Sequence, residues 1–280
     1  MTPRITAESL KPFTPTENVY FVHISDSHIG PSADYARHGH RALPCLEKVI
    51  DIIQSLPQKP DFVVHTGDVV TDPHPASYEL AAETMARLDV PVYYVTGNHD
   101  RARDLHHYFP MGPKRDAYDD PDLLAYTFDV KGHRFMVVDA RAEDEIDPHG
   151  WLTQKQLDFV RREVRQPGPP LTISMHYPIV PINSTWIDAY MMVINGAALH
   201  QILAPARARI RGVFYGHIHQ NVQIFRDGIM YTGVASLFSQ FSGWPNADVI
   251  GFDPEHPPGY NFVHLLPEQT IVHQHTFSRP

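Results

Sequence analysis

Metal-capable side chains stand at the ends of five short apolar segments of the sequence. Three of these ends carry Asp26-Ser27-His28, Gly67-Asp68 and Gly97-Asn98-His99-Asp100. The other two carry His176 and the run Gly216-His217-Ile218-His219. Imidazole and carboxylate ligands suit Zn, Fe or Mn, whereas a Mg²⁺ or Ca²⁺ site would be mostly oxygen. The set therefore predicts a two-metal hydrolase.

The segments that precede these residues read as β-strands. Each is short, rich in β-branched or aromatic residues and bounded by Gly, Pro or Asp. The predicted strands span residues 19–24, 61–65, 92–96, 171–175 and 212–215. Because the carboxyl ends of such strands face one crevice of a sheet, we expect all five to deliver ligands to the same place.

Helices and hairpins are predicted between and after these strands. Residues 39–55 and 76–88 each place their apolar side chains on one stripe, and a third helix is predicted from Thr153 to Arg165. Hairpin turns are predicted at Lys131-Gly132 and Asp227-Gly228, and a final strand pair at 260–266 and 270–276. The pattern indicates an α/β fold with two sheets packed face to face and covered by helices.

The motif order resembles that of calcineurin-like metallophosphoesterases, with all five blocks present between residues 26 and 219. Ile24–Gly30, Gly97–Arg101 and Tyr215–Gln220, with Pro258–Tyr260 downstream, are most similar to bacterial class III cyclic-nucleotide and glycerophosphodiester phosphodiesterases. The resemblance implies a four-layered α/β/β/α sandwich with two mixed β-sheets flanked by helices. It also implies that many relatives, and so this chain, are homo-oligomers.

The resemblance implies a binuclear site of two divalent transition-metal ions, Mn, Fe or Zn. Its ligands would be Asp26, His28, Asp68 and His219 for one ion, and Asp68, Asn98, His176 and His217 for the other. Asp68 would bridge the pair. Two divalent ions against two carboxylates leave about two positive charges to bind a phosphoryl group and to acidify a bridging water. The bridging hydroxide would be the nucleophile, with His99 as phosphate contact and proton donor.

Two departures from sister families narrow the reaction. Phosphoprotein phosphatases follow the Gly-Asp motif with an Arg that grips phosphate, whereas Gly67-Asp68 is followed by Val-Val-Thr-Asp72. Purple acid phosphatases have a metal-binding Tyr at the position of Thr71. Without a dianion clamp at that place, we expect hydrolysis of small phosphodiesters, either cyclic nucleotides or glycerophosphodiesters. A phosphomonoesterase or a phosphonate monoester hydrolase of the same fold is the alternative.

Each motif alone also has a purely structural explanation. Gly-Asn-His-Asp could be a turn, and Gly-His-Ile-His could be an alternating strand end. A non-catalytic scaffold of this fold is disfavoured because every ligand position carries a competent side chain. Of the 19 histidines, His23 and His65 are predicted to be hydrogen-bonded core residues within strands.

A segment at about 178–195 directly follows His176 and is rich in large apolar side chains without clean periodicity. We expect it to form a rim or lid over the metals, where Trp186 and Tyr190 could stack on a base or cover an alkyl group. Packing against the domain or a second subunit is an equally weighted alternative. Ser236–Phe241 is a second candidate rim.

Composition and charge limit the domain count and the partners. The 280 residues, 42% of them hydrophobic, are expected to form an extended arm at 1–18 and a single domain at 19–280. A net charge of −9 without a Lys/Arg-rich run argues against a nucleic-acid polymer as partner and leaves a small phosphodiester. Cys45 is the only cysteine, so no intrachain disulfide can form.

No apolar stretch approaches the roughly 18 residues that span a bilayer, so no membrane partner is expected. Residues 1–10 lack the apolar core of a secretion signal. A cytoplasmic location is therefore the expectation.

Overall fold

Two mixed β-sheets organise the chain in the computed structural model, which describes residues 17–142, 146–165 and 168–280. The strands are β1 (Val19–Ile24), β2 (Ala36–Arg37), β3 (His40–Arg41), β4 (Phe62–His65), β5 (Val92–Tyr94), β6 (Arg115–Asp116), β7 (Tyr126–Val130), β8 (His133–Val137), β9 (Leu171–Ser174), β10 (Ile210–Tyr215), β11 (Gln223–Arg226), β12 (Ile229–Gly233), β13 (Gln240–Phe241), β14 (Phe252–Asp253), β15 (Gly259–Leu265) and β16 (Thr270–Thr276). The helices are α1 (Ala42–Ser55), α2 (Pro75–Met85), α3 (Ala102–Tyr108), α4 (Gln154–Arg165), α5 (Thr185–Tyr190) and α6 (Gly196–Leu203), and a short 3₁₀ turn follows at Ala204–Ala206.

The strand order explains why both sheets are mixed. One sheet has the order β16-β15-β1-β4-β5, in which β1, β4 and β5 are parallel and β15 and β16 antiparallel. The other has the order β11-β12-β10-β9-β8-β7-β6, with parallel pairing from β8 through β9 and β10 to β12. All five strands that precede the motif residues, β1, β4, β5, β9 and β10, lie in these parallel parts of the sheets.

Aromatic side chains join the inner faces of the sheets. The Phe21 ring of β1 lies 5.3 Å from that of Phe214 on β10, and the Phe62 ring of β4 lies 4.9 Å from that of Phe135 on β8. Since side chains alternate along a strand, Val22 points to the opposite face. It belongs to the same buried cluster as the apolar stripe of α1.

Helices cover the outer face of the second sheet as well. Leu157 of α4 and Leu199 of α6 are buried in one cluster with Ile173 of β9 and Val213 of β10. The layers are therefore helix, sheet, sheet and helix, and the predicted four-layered α/β/β/α sandwich is confirmed.

The predicted helices and turns match the structure with small differences at their ends. The helix predicted over 39–55 begins at Ala42, because residues before it belong to the β2–β3 hairpin. The helix predicted over 76–88 runs from Pro75 to Met85, with the His74 side chain accepting a hydrogen bond from Ala76 N. Both two-residue hairpin turns are confirmed, and their central residues have positive φ as type I′ turns require.

The predicted arm at 1–18 lies outside the described residues apart from Glu17 and Asn18. Among the residues that the structure describes, no helix combines the length and the apolar character needed to cross a membrane.

Candidate metal centre

The structure brings all the predicted ligand residues together where the two sheets meet. They follow the carboxyl ends of three strands of the first sheet and two of the second: Asp26 and His28 after β1, Asp68 after β4, Asn98 after β5, His176 after β9, and His217 and His219 after β10. All except half-buried Asn98 are buried. Strand ends from both sheets thus form one site.

Five of these residues have a left-handed backbone. The φ values are 55° at Asp26, 46° at His28, 54° at Asp68, 67° at His217 and 49° at His219. Residues other than glycine rarely adopt this conformation, which costs about 1–3 kcal/mol each and clusters at functional sites. Cross-loop hydrogen bonds hold it in place, including Asp26 N to Gly67 O at 3.0 Å and His28 N to Asp68 O at 3.0 Å.

The donor atoms of the first cluster belong to Asp26, His28 and His219. The His28 and His219 Nε2 atoms lie 3.2 Å apart. Asp26 Oδ1 lies 3.3 Å from His219 Nε2 and 3.9 Å from His28 Nε2. Ligands about 2.1 Å from one metal ion lie about 3.0–3.4 Å from one another. Both distances to His219 Nε2 fall in this range and the third is wider, so this cluster can share a cation around His219.

The second cluster is centred on His176 Nε2. This atom lies 3.3 Å from Asp68 Oδ2, 3.2 Å from Asn98 Oδ1 and 3.1 Å from His217 Nδ1. Asp68 Oδ2 is also 3.6 Å from His28 Nε2. One carboxylate oxygen therefore lies between the two clusters.

Backbone groups orient the ligand side chains. Nδ1 of His176 donates to Thr66 O at 2.7 Å, and Nδ1 of His219 donates to Ser239 O at 2.7 Å. Because a carbonyl can only accept, both rings carry hydrogen on Nδ1 and turn the Nε2 lone pair into the site when neutral. His99 N donates to Asp68 Oδ1 at 2.9 Å, which leaves Oδ2 for the site. Lone pairs thus converge on both clusters, and a metal cation fits them.

The charges of the site are strongly coupled. Burial raises the pKa of Asp68, but His176 and the other histidines hold it well below its usual range. Burial lowers the pKa of His176, whereas the charge of Asp68 and their hydrogen bond raise it, with a net result of about 9. Burial and His176 lower the pKa of His217 to about 3. Without metal, a proton on His176 therefore balances part of the carboxylate charge.

His99 lies beside the ligands without being buried among them. Its Nδ1 donates to Thr71 O at 2.7 Å, and its ring centroid lies 4.9 Å from that of His28. With Nδ1–H committed to the carbonyl, Nε2 carries a hydrogen only in the imidazolium form. His99 can therefore give up a proton from Nε2 as a cation.

Asp100 has a part in this site that no feature of the sequence had indicated. Its buried carboxylate accepts hydrogen bonds from Gly97 N at 3.0 Å, Val69 N at 3.0 Å and Val70 N at 3.3 Å. Burial and the charge of Asp68 raise the pKa of Asp100 to about 6. The residue ties the loop that carries Asp68 to the loop that carries Asn98.

A cavity of about 270 Å³ opens onto the ligands. The predicted rim residue Trp186 lines it, whereas Tyr190 is 51% exposed and contacts the Trp186 ring at 5.2 Å. Phe238 and Phe241, from the second predicted rim, also line it. Met191, from the same predicted segment as Trp186, lines it too, and the wall residues that were not predicted include Arg37, His38, Asp147, Pro148 and Phe252.

His23 and His65 lie beneath the site and confirm the prediction of hydrogen-bonded core histidines. Both are fully buried. His23 Nε2 lies 2.9 Å from Thr66 Oγ1, and His65 Nε2 lies 2.9 Å from Ser27 Oγ. They support the loops and do not face the cavity.

Comparisons with known proteins agree with this geometry. A family model described as calcineurin-like phosphoesterase matches residues 19–221. The 3′,5′-cyclic adenosine monophosphate phosphodiesterase CpdA of Pseudomonas aeruginosa is 30% identical over 254 residues, which cover 89% of this chain and 86% of that protein. The glycerophosphodiester phosphodiesterase GpdQ of Enterobacter lignolyticus (strain SCF1) is 24% identical over 265 residues, covering 91% and 90%.

A solved structure has the same fold. A dimetal phosphatase from Danio rerio superposes with a TM-score of 0.62 at 17% identity, covering 95% of this chain and 100% of that one. At this identity the likeness concerns the fold alone.

Proposed function

Because the chain belongs to the calcineurin-like phosphoesterase family, we propose that it is a metal-dependent phosphodiesterase that hydrolyses small phosphodiesters. The observation that carries the proposal is the convergence of two ligand clusters on Asp68 Oδ2. The activities of the two relatives named above, on cyclic adenosine monophosphate and on glycerophosphodiesters, support the same class of substrate.

We assign the ligands as the resemblance to the family implied. Asp26, His28, Asp68 and His219 would hold one ion, and Asp68, Asn98, His176 and His217 the other. When bound, the two ions would supply Lewis acidity toward the phosphoryl group and an acidified water as the nucleophile. Mixed imidazole and carboxylate ligands favour Mn, Fe or Zn.

The chain's own groups would orient the reaction and handle the proton. The Thr66 and Ser239 carbonyls keep His176 and His219 turned toward the site. As the phosphorus–oxygen bond of the leaving alcohol breaks, the His99 imidazolium would pass its Nε2 proton to that oxygen. The Thr71 carbonyl would keep Nδ1–H in place, so His99 would leave the step as a neutral ring ready to be protonated again.

A diester is favoured over a monoester by the loop after Asp68. Residues 69–72 contain no arginine, so this loop offers no cation for a second phosphate charge. The relatives named above support this preference. The homo-oligomeric state and the cytoplasmic location stay predictions.

The test is hydrolysis of bis(p-nitrophenyl) phosphate beside p-nitrophenyl phosphate by Mn²⁺-loaded protein, with chelated protein as the control. We expect metal-dependent turnover with higher kcat/KM for the diester. A higher kcat/KM for the monoester would replace the proposal by a phosphomonoesterase. Elemental analysis of the purified protein should find two transition-metal ions per chain, and a metal-free protein without metal-dependent turnover would favour a scaffold.

A further inference from the structure

A guanidinium group reaches the metal cavity from a part of the chain that carries no motif. Arg37 ends β2, which pairs with β3 across the two-residue turn His38-Gly39. The turn residues have φ values of 51° and 80°, as a type I′ turn requires. This hairpin places Arg37 in the wall of the cavity that Asp68, Asn98 and His99 also line.

Two hydrogen bonds fix the guanidinium. Nη1 donates to Thr71 Oγ1 at 2.9 Å, and Nε donates to His38 Nε2 at 3.0 Å. The Thr71 carbonyl accepts the hydrogen bond from His99 Nδ1, so Thr71 positions the side chains of both Arg37 and His99. The His38 ring, which accepts the Nε hydrogen bond, is itself held by stacking on Phe252 with ring centroids 3.3 Å apart.

Within the part of the chain that the structure describes, the charge of Arg37 has no carboxylate partner. Among the described residues, no carboxylate oxygen lies within 4 Å of its guanidinium nitrogens, whereas Arg87, Arg103 and Arg134 all pair with carboxylates. Nη2 makes no hydrogen bond to a described residue. A guanidinium that is fixed, unpaired and turned into a cavity is suited to bind a phosphate oxygen.

We infer that Arg37 binds a non-bridging oxygen of the phosphoryl group, an inference that rests on the proposed function for the place of that group. Arg37 thus supplies, from the β2–β3 hairpin, the positive charge for phosphate that the loop after Asp68 lacks. Since a monoester dianion carries more charge on its free oxygens than a diester monoanion, Arg37 helps the monoester more. The enzyme therefore also hydrolyses phosphomonoesters, at a rate that depends on Arg37.

The test compares Arg37→Ala and Arg37→Lys with Arg41→Ala in the full-length Mn²⁺-loaded protein. Arg41 is a matched control because it lies in the same hairpin and, among the described residues, forms an ion pair only with the exposed Asp34, at 3.7 Å. Binding of inorganic phosphate is measured by calorimetry, turnover with both nitrophenyl esters, and metal content by elemental analysis.

We expect Arg37→Ala to keep its metal and to weaken phosphate binding about 10- to 100-fold, the range of a charge-assisted hydrogen bond. Its kcat/KM should fall more for the monoester than for the diester. Arg37→Lys should recover part of both losses, because lysine keeps the charge without the fixed fork, and Arg41→Ala should equal the wild type.

Several results would overturn the inference. One is an Arg37→Ala protein with full metal content whose phosphate affinity and ester preference match the wild type. Another is loss of metal from Arg37→Ala together with wild-type behaviour of Arg37→Lys, which would make the residue structural. The inference would also be overturned if the wild-type protein bound metal but no phosphate. Arg37-dependent phosphate binding without turnover of either ester would instead refute the proposed function and leave the phosphate site standing.

Discussion

The ligand floor and the wall of the metal cavity are built by different means. The floor consists of the seven proposed ligands, which follow strand ends and are held by backbone hydrogen bonds between loops. Much of the wall comes from the two-residue strands β2, β13 and β14, from His38 in the turn after β2, and from the segment 178–195. It is joined by side-chain contacts, such as the Phe241 ring 4.5 Å from that of His219. The residues that determine the type of reaction are thus positioned by the sheets, whereas the residues that select the substrate lie in the wall and can vary independently.

The largest effect should come from removing Asp68 Oδ2, the carboxylate oxygen that lies between the two ligand clusters of the floor. We expect Asp68→Ala to lose both ions and at least about 10³-fold of kcat, since metal stabilisation of the transition state is worth several kcal/mol. Elemental analysis and diester turnover measure the two losses. Asp34→Ala, which removes a carboxylate exposed on the loop before β2, is the control. Full activity of Asp68→Ala would refute the ligand assignment.

Close packing under the floor predicts the next effect. A Cβ at Gly216 would lie 1.8 Å from Ser25 Oγ and 2.6 Å from Asp26 Oδ2. We expect Gly216→Ala to lower the free energy of unfolding by about 1–3 kcal/mol, as overpacking does, and to weaken metal binding. An added Cβ at Gly251, the exposed residue before wall strand β14, would have Ser242 Oγ at 3.5 Å as its nearest neighbour, so Gly251→Ala should unfold like the wild type in urea. Equal stability of the two variants would contradict the contrast between floor and wall.

Metal binding to the floor should also release the proton that His176 carries in the metal-free protein. The pKa of His176 is raised to about 9 from 6.5, so in metal-free protein its contribution to stability is complete below pH 6.5 and is lost as pH rises through about 9. Metal must displace that proton. Mn²⁺ loading near pH 7.5 should therefore release about one proton per chain from His176 in addition to any proton from the acidified water, measured by calorimetry in buffers of different ionisation enthalpy. At equal metal content, His176→Asn should lower the release by about one proton, and an undiminished release would assign that proton elsewhere.

The wall should give the smallest effect, confined to substrate binding. Trp186 lines the cavity, and we expect Trp186→Ala to raise KM for the diester about threefold with kcat and metal content unchanged, because it removes contact area alone. Tyr190→Ala removes an exposed ring that touches Trp186 outside the cavity and serves as the control. A fall in kcat or in metal content would show that the wall supports the floor.

The floor could be predicted from the sequence because each ligand is placed by the strand directly before it in the chain. Each ligand follows an apolar strand by a few residues, so the order of strands and polar motifs was enough to bring Asp26, Asp68 and His176 together. The left-handed φ angles of these loops were not predicted, since Asp and His adopt them only where neighbouring loops hold them.

The wall could not be predicted because its information lies in contacts between distant residues. Arg37 reaches the cavity through Thr71, 34 positions later, and His38 reaches Phe252 on the far β13–β14 pair. The His38-Gly39 dipeptide was a usable turn signal, but the helical stripe predicted over 39–55 hid it. Asp100 belongs to the motif Gly97–Asp100, yet its role depends on backbone N–H groups, among them that of Val69 on the loop after β4.

Each proposed ion would be held by residues of both sheets, which makes it a cross-link as well as a reagent. His28 and His219 lie 191 positions apart in the chain, yet their Nε2 atoms are 3.2 Å apart. Closing so long a loop constrains the unfolded chain strongly in the chain-entropy view, as a disulfide would, and this chain has a single cysteine. Chelation should then loosen one sheet from the other, so resistance to proteases and the lifetime of the fold would follow the supply of metal.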